Sequence, residues 1–197
     1  MSGVVHHGGQ YKNSAAFTRE GDVFYRARSL PAPWAVDILR GMAAKDLRMT
    51  VEIVSSQEAV RVPRKRIAEV AAKIARQEGI RVSHIEIAVA AEDEMAAMNR
   101  RYLHHAGATD VLSFDLSDDV TDGLVGQVVV CGDVAAREAP IHGHSAQREL
   151  LLYVIHGLLH LTGYDDKTPR LAARMHAKAE ELLAEVYPLP RRQRGRS

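Results

Sequence analysis

The segment "SAQRELLLYVIHGLLHLTG", residues 145–163, constrains this chain more than any other. Leu150, Leu151, Val154, Leu158 and Leu161 recur at helical spacing and form an apolar stripe. Such a stripe is stable only against other apolar surface, so the helix is expected to lie buried within a domain. Ser145 suits its N-cap. His156 and His160 are one turn apart and project from one face. Imidazole is a common zinc ligand, and a zinc site needs three or four donors converging. Gly163 suits a left-handed helix stop. The chain then doubles back, and Asp165 or Asp166 can reach the same point. Three protein donors with a fourth position for water is the pattern of a catalytic site. Two histidines at this spacing also suit a core helix in which both bond backbone carbonyls. The glycine and the acids that follow favour the metal.

The rest of the pattern from Met49 onward gives the fold class. "TVEIV" alternates and is β-branched, so it reads as a strand. Pro63 opens a helix in which Ile67, Val70, Ala71 and Ile74 recur at helical spacing, and Gly79 closes it. "IEIAVA" reads as a strand, "EDEMAAMNRRYL" as a helix with acids in its first turn, and "TDVLSFDL" and "GQVVVCGD" as two more strands. The histidine helix follows, to about Thr162, and a last helix runs from Thr168-Pro169 to about Tyr187. This order predicts an α+β fold: one mixed β-sheet of about four strands with helices packed on it, in a single domain at residues 49–187.

The flanks look different. Residues 1–48 are polar and broken by "LPAPW", and only "WAVDILRGMAAKDL" suits a short helix. They are expected to be a flexible extension, or the product of an upstream start with Met49 as the natural one. Residues 188–197 form a basic tail expected to be disordered.

Bulk properties narrow the functional classes. The 197 residues carry a net charge of +1, so any nucleic-acid contact must rest on a local basic patch. Cys131 is the one cysteine, which excludes an intramolecular disulfide and a cysteine-rich zinc site. No apolar run is long enough to span a bilayer, and the N-terminus lacks the layout of a signal peptide. A cytoplasmic protein with no membrane partner is expected. At 5% aromatic content, stacking of several bases on a sheet surface is disfavoured.

The histidine spacing resembles the metzincin peptidase pattern, but that pattern has a Glu general base directly after the first His, where this chain has Gly157. "HGLLHLTGYD", residues 156–165, resembles the signature of the bacterial rRNA maturation factor family known as YbeY. "MNRRYLHHAGATDVLSF" (98–114), "GDVAAREA" (132–139) and "GHSAQRELLLYVIHG" (143–157) resemble its other segments in the same order. The likeness runs from about Met49 to Tyr187. It implies a zinc-hydrolase-like fold and a single-strand-specific metallo-endoribonuclease carrying one Zn2+ ion. It further implies a role in maturing the 16S rRNA 3′ end and in ribosome quality control. The implied partners are single-stranded or ribosomal RNA and the small ribosomal subunit, with a small-subunit protein and a ribosome-associated GTPase as inherited expectations. DNA is not expected.

Two positions depart from the family pattern. The third ligand is usually His, ten positions after the first; here that position is Asp166, which makes the implied metal set His156, His160 and Asp166. Two His and one carboxylate is an established zinc set, though the anion should make bound water less acidic. The family pattern also carries an Asp at the Asp165 position, in a non-ligand role. Secondly, the family's Arg after the Tyr of its Asn-containing helix is Leu103 here. Arg100, Arg101 or His104 are the candidates to contact phosphate in its place. Arg61, Arg64, Lys65 and Arg66 form a basic cluster that suits RNA phosphates or a solvated face. Thr109, Asp110 and Ser113 suit the cleft wall, and Asp133 a support or N-cap role. Leu103 favours an alternative, a non-catalytic metal-containing ribosome-assembly factor. A zinc peptidase is a third reading, weakened by Gly157.

Overall fold

The computed structural model describes residues 49–188 in full and, before them, the backbone of three strands. These are β1 (Val4–His7), β2 (Tyr11–Thr18) and β3 (Asp22–Arg26). They are followed by β4 (Thr50–Ser55), α1 (Arg64–Gln77), β5 (Val82–Ala90) and α2 (Glu92–Leu103). Then come β6 (Val111–Asp115), β7 (Leu124–Cys131), α3 (Gly132–Glu138), α4 (Ala146–Leu161) and α5 (Pro169–Val186). The segment "WAVDILRGMAAKDL" and the tail from residue 189 lie outside the described residues.

The sheet is mixed, in the order β1-β2-β3-β6-β7-β5-β4. β4, β5 and β7 run parallel, β6 runs antiparallel to β7, and β3 lies parallel to β6. The four strands read from residues 50–131 are all present, and the α+β class holds. β1 to β3 continue the sheet beyond β6. Position in the sheet explains strand composition. β7, between β5 and β6, is buried along nearly its whole length and is apolar apart from Gln127. β4, on the edge, alternates.

α4 is the central helix. It packs on β6 and β7 on one side and against α1, α3 and α5 on the others. Contact on so many sides explains why its burial extends beyond the apolar stripe to Tyr153, Ile155, Leu159 and His160. Gly157 brings it close to the sheet. A Cβ there would stand 2.5 Å from Val128 Cγ1 and 2.8 Å from Ser113 Oγ. The Ser113 hydroxyl uses that proximity and donates to the Gly157 carbonyl at 3.2 Å. Ser145 caps the helix as expected, accepting from the Arg148 N–H, and Thr168 caps α5 in the same way.

α3 is a correction to the expected order, which passed from strand straight to the histidine helix. Its seven residues follow β7 with no intervening turn, so its periodicity is too brief to emerge beside the strand. Its N-cap is Cys131, not Asp133. Asp133 instead serves α2: its Oδ2 accepts the Glu92 N–H at 2.9 Å, satisfying one of the helix's exposed donors from a neighbouring element. Asp133→Ala should lower stability by about 1 kcal/mol, the usual worth of such a cap. Thermal unfolding followed by circular dichroism should then drop by about 2–4 °C. An unchanged midpoint would leave the contact without energetic weight. Cys131 is buried, and burial pushes its thiol up, which leaves it a poor nucleophile.

Candidate metal centre

The end of α4 builds the site. His156 and His160 stack along one face, with ring centroids 4.9 Å apart and an interplanar angle of 71°. Past Leu161 the chain reverses at Gly163, whose φ of +96° lies where a side chain is strained. The Tyr164 N–H reaches back to the Leu159 carbonyl and the Gly163 N–H to the His160 carbonyl, both at 3.0 Å. This pair of bonds is the Schellman termination, and it satisfies carbonyls that the helix end would strand.

The reversal delivers Asp166 to the histidines. Its Oδ2 stands 3.5 Å from His156 Nε2 and 3.4 Å from His160 Nε2. One donor atom from each residue falls within 4.8 Å of the others. Zinc bonds of about 2.0–2.1 Å in a tetrahedron place donors about 3.3–3.4 Å apart, so the carboxylate separations suit a shared ion. His160 Nδ1 lies 3.1 Å from the Tyr164 carbonyl. A carbonyl only accepts, so Nδ1 carries the proton, and in a neutral ring Nε2 keeps its lone pair for the site. Burial draws the Asp166 carboxyl upward, but the facing histidines outweigh it and hold the group below the usual carboxylate range. His160 and Asp166 are each 2% exposed and His156 19%, so the site opens to solvent on the His156 side.

Asp165 has other work. Its Oδ1 accepts the Asp166 and Lys167 N–H groups at 2.7 and 3.1 Å, and its Oδ2 pairs with Lys167 Nζ at 3.1 Å. It holds the loop that presents Asp166. Tyr164, which sequence reasoning missed, acts through its backbone carbonyl, and no side-chain pattern signals that.

The other candidates are placed less centrally. Arg100 and Arg101 are exposed in the last turn of α2, and the Arg101 guanidinium lies 5.5 Å from the Tyr102 ring centre. His104 ends that helix in a left-handed conformation with φ of 60° and is not among the groups converging with Asp166. Leu103 is buried in the apolar core. Thr109 is buried and donates to Asp110 Oδ1 at 3.0 Å, which also accepts the Val111 N–H. Arg61, Arg64, Lys65 and Arg66 line a groove of about 600 Å³ with Gln147. Three of them already have partners: the Arg64 guanidinium donates to the Ile53 carbonyl, Arg66 stacks 4.2 Å over the Tyr187 ring, and Lys65 Nζ lies 3.9 Å from Glu69 Oε1.

The chain was compared with known proteins. The family model described as Endoribonuclease YbeY matches residues 48–187. The chain belongs to this family. By its name the family is one of endoribonucleases, hydrolases that act on RNA. An Endoribonuclease YbeY from Acidothermus cellulolyticus is 34% identical, over 75% of this chain and 97% of its own length. One from Thermobifida fusca is also 34% identical, over 66% of this chain and 90% of its own. One from Bifidobacterium longum is 38% identical, over 49% of this chain and 57% of that relative. Among solved structures, TM1509 from Thermotoga maritima is similar, at 27% identity and a TM-score of 0.51, covering 70% of this chain and 89% of that one. Among the described residues, no helix is long and apolar enough to cross a membrane.

Proposed function

We propose that this chain is a zinc-dependent endoribonuclease acting on single-stranded RNA. On this reading it works in the cytoplasm with the small ribosomal subunit, in maturation of the 16S rRNA 3′ end and in ribosome quality control. The observation that carries the reading is the convergence of His156, His160 and Asp166 in a member of an endoribonuclease family.

Those three residues would hold one Zn2+ ion, which when bound supplies Lewis-acid stabilisation of phosphoryl oxygens and acidifies water. The remaining functions belong to the chain. The Tyr164 carbonyl sets the His160 tautomer and orientation. Asp166, an anion inside the site, lowers its net charge by one unit relative to three neutral histidines. The side of His156, the least buried of the three donors, is where the substrate would approach. Arg100, Arg101 and His104 are the proposed phosphate contacts, and the groove at Arg61–Arg66 a path for RNA backbone. Among the described residues, Asp166 is the one carboxylate of the converging group. The nucleophile is then water or the RNA 2′-hydroxyl, and only the second route leaves a cyclic phosphate.

The test runs a fluorescent single-stranded RNA and casein side by side, with and without chelator. RNA should be cut, cleavage should fall at least ~100-fold with chelator, and Zn2+ should restore it; casein should stay intact. Casein hydrolysis without RNA cleavage would overturn the reading in favour of a peptidase. Buried Leu103 at the family's Arg position favours a second reading, a non-catalytic assembly factor. In that case the metal is retained and RNA is bound but left whole.

A further inference from the structure

A second group of donors lies at the other end of α4. His142 and His144, in the loop before the helix, face Glu149 in its first turn. His142 Nδ1 stands 3.2 Å from Glu149 Oε1, and His144 Nε2 stands 3.1 Å from Glu149 Oε2. The Glu149 side chain is 2% exposed. Its Oε2 makes no hydrogen bond despite the close imidazole, and neither does His144 Nδ1. Glu149 Oε1 pairs with His142 Nδ1 and the carboxylate also meets the Tyr153 hydroxyl, but Oε2, buried and without a hydrogen bond, favours a positive charge beside it.

Among the described residues, no lysine or arginine pairs with Glu149. The ion pairs of Glu149 are both with histidine. The adjacent Arg148 is committed to Glu180 at 2.9 Å. Tyr153, one turn further along α4, is pushed well above its ordinary range by burial and by the Glu149 charge, so it stays a neutral hydroxyl.

We infer that His142, His144 and Glu149 form a second site for a divalent first-row metal ion, separate from the one at His156. Two imidazoles and one carboxylate suit such an ion. One donor atom from each of the three residues falls within 4.8 Å of the others, with each imidazole beside a different oxygen of Glu149. His142 is half-exposed and leaves the ion a solvent-facing position. Glu149 and His156 are two turns apart on α4, about 10 Å by helical rise. Ions sharing one reaction lie about 3.5–4 Å apart, so this is not half of a two-metal centre. It ties the loop after α3 to the start of α4.

The test titrates the full, metal-stripped chain with Co2+, reading stoichiometry by calorimetry and ligand environment by visible absorption. Wild type should take two ions, and His142→Ala and Asp166→Ala one each, with different spectra. Glu149→Gln should match His142→Ala. His142 is exposed enough for its variant to fold, which far-ultraviolet circular dichroism checks. One ion in wild type, lost in Asp166→Ala and kept in His142→Ala, overturns the inference and leaves the proposed nuclease centre standing. One ion with the opposite pattern upholds the inference and removes the nuclease centre. Two ions retained in His142→Ala also overturns it.

Discussion

Asp166→Ala should remove the ion held with His156 and His160 from the purified chain and reduce RNA cleavage at least ~100-fold. The reasoning starts from the donor count. Three protein donors are the minimum for a catalytic zinc site, and the substitution leaves two. Loss of a partner that merely supports a ligand already costs about 10–100-fold in affinity or activity, and loss of a ligand should exceed that. The fold should survive, because Asp165 anchors the loop through backbone N–H groups without using the Asp166 side chain. Metal content by mass spectrometry, wild type against variant, decides the matter. Zinc that falls by one ion per chain in the variant supports Asp166 as the third donor. Zinc retained at the wild-type level would sink that assignment, and zinc absent from both would remove the metalloenzyme reading.

Gly157→Glu should prevent normal folding. The substitution would recreate the peptidase order of His followed directly by Glu, so its failure is informative. Val128 Cγ1, Ser113 Oγ and Val111 Cγ2 all lie within 3.0 Å of where a Cβ would stand. None can withdraw cheaply, since each belongs to a strand packed under α4. Overpacking of this kind costs about 1–3 kcal/mol for an added methyl, and a carboxylate driven into the same space costs more. The transition should fall by more than ~6 °C, or the chain should be insoluble. Gly157→Ala, the milder probe, should still fall by several degrees. A Gly157→Glu protein that melts like wild type would mean that α4 does not lie this close to the sheet. The glycine is thus explained by packing, whatever chemistry it forgoes.

The fold was readable where patterns were long. α1, α2, α4 and α5 each repeat an apolar or capped pattern over several turns, and the strands alternate or run apolar between turn residues. α3 was hidden because two turns directly after a strand carry almost no period of their own. The proposed nuclease donors could be named from the sequence because all three lie in one short segment. His142, His144 and Glu149 were not, because a loop and a helix cap separate them and their spacing belongs to no regular element. Asp133 was singled out, but its partner at Glu92 lies in another helix, and only the packing of α3 beside α2 reveals it. Leu103 was readable as a departure, and its burial explains how the chain accommodates it.

The termination at Gly163 has a further consequence, for the coupling between occupancy and folding. It keeps every proposed nuclease donor within residues 156–166. A cross-link over so short a segment removes little freedom from the unfolded chain. The same segment also retains some affinity for the ion when unfolded, which reduces the stabilisation that binding confers. An ion held there would therefore report on how firmly α4 and its turn are held and do little to hold them. Unlike a small zinc-stapled module, this domain relies on its sheet and central helix, and a chelator should empty the site without dissolving the structure around it.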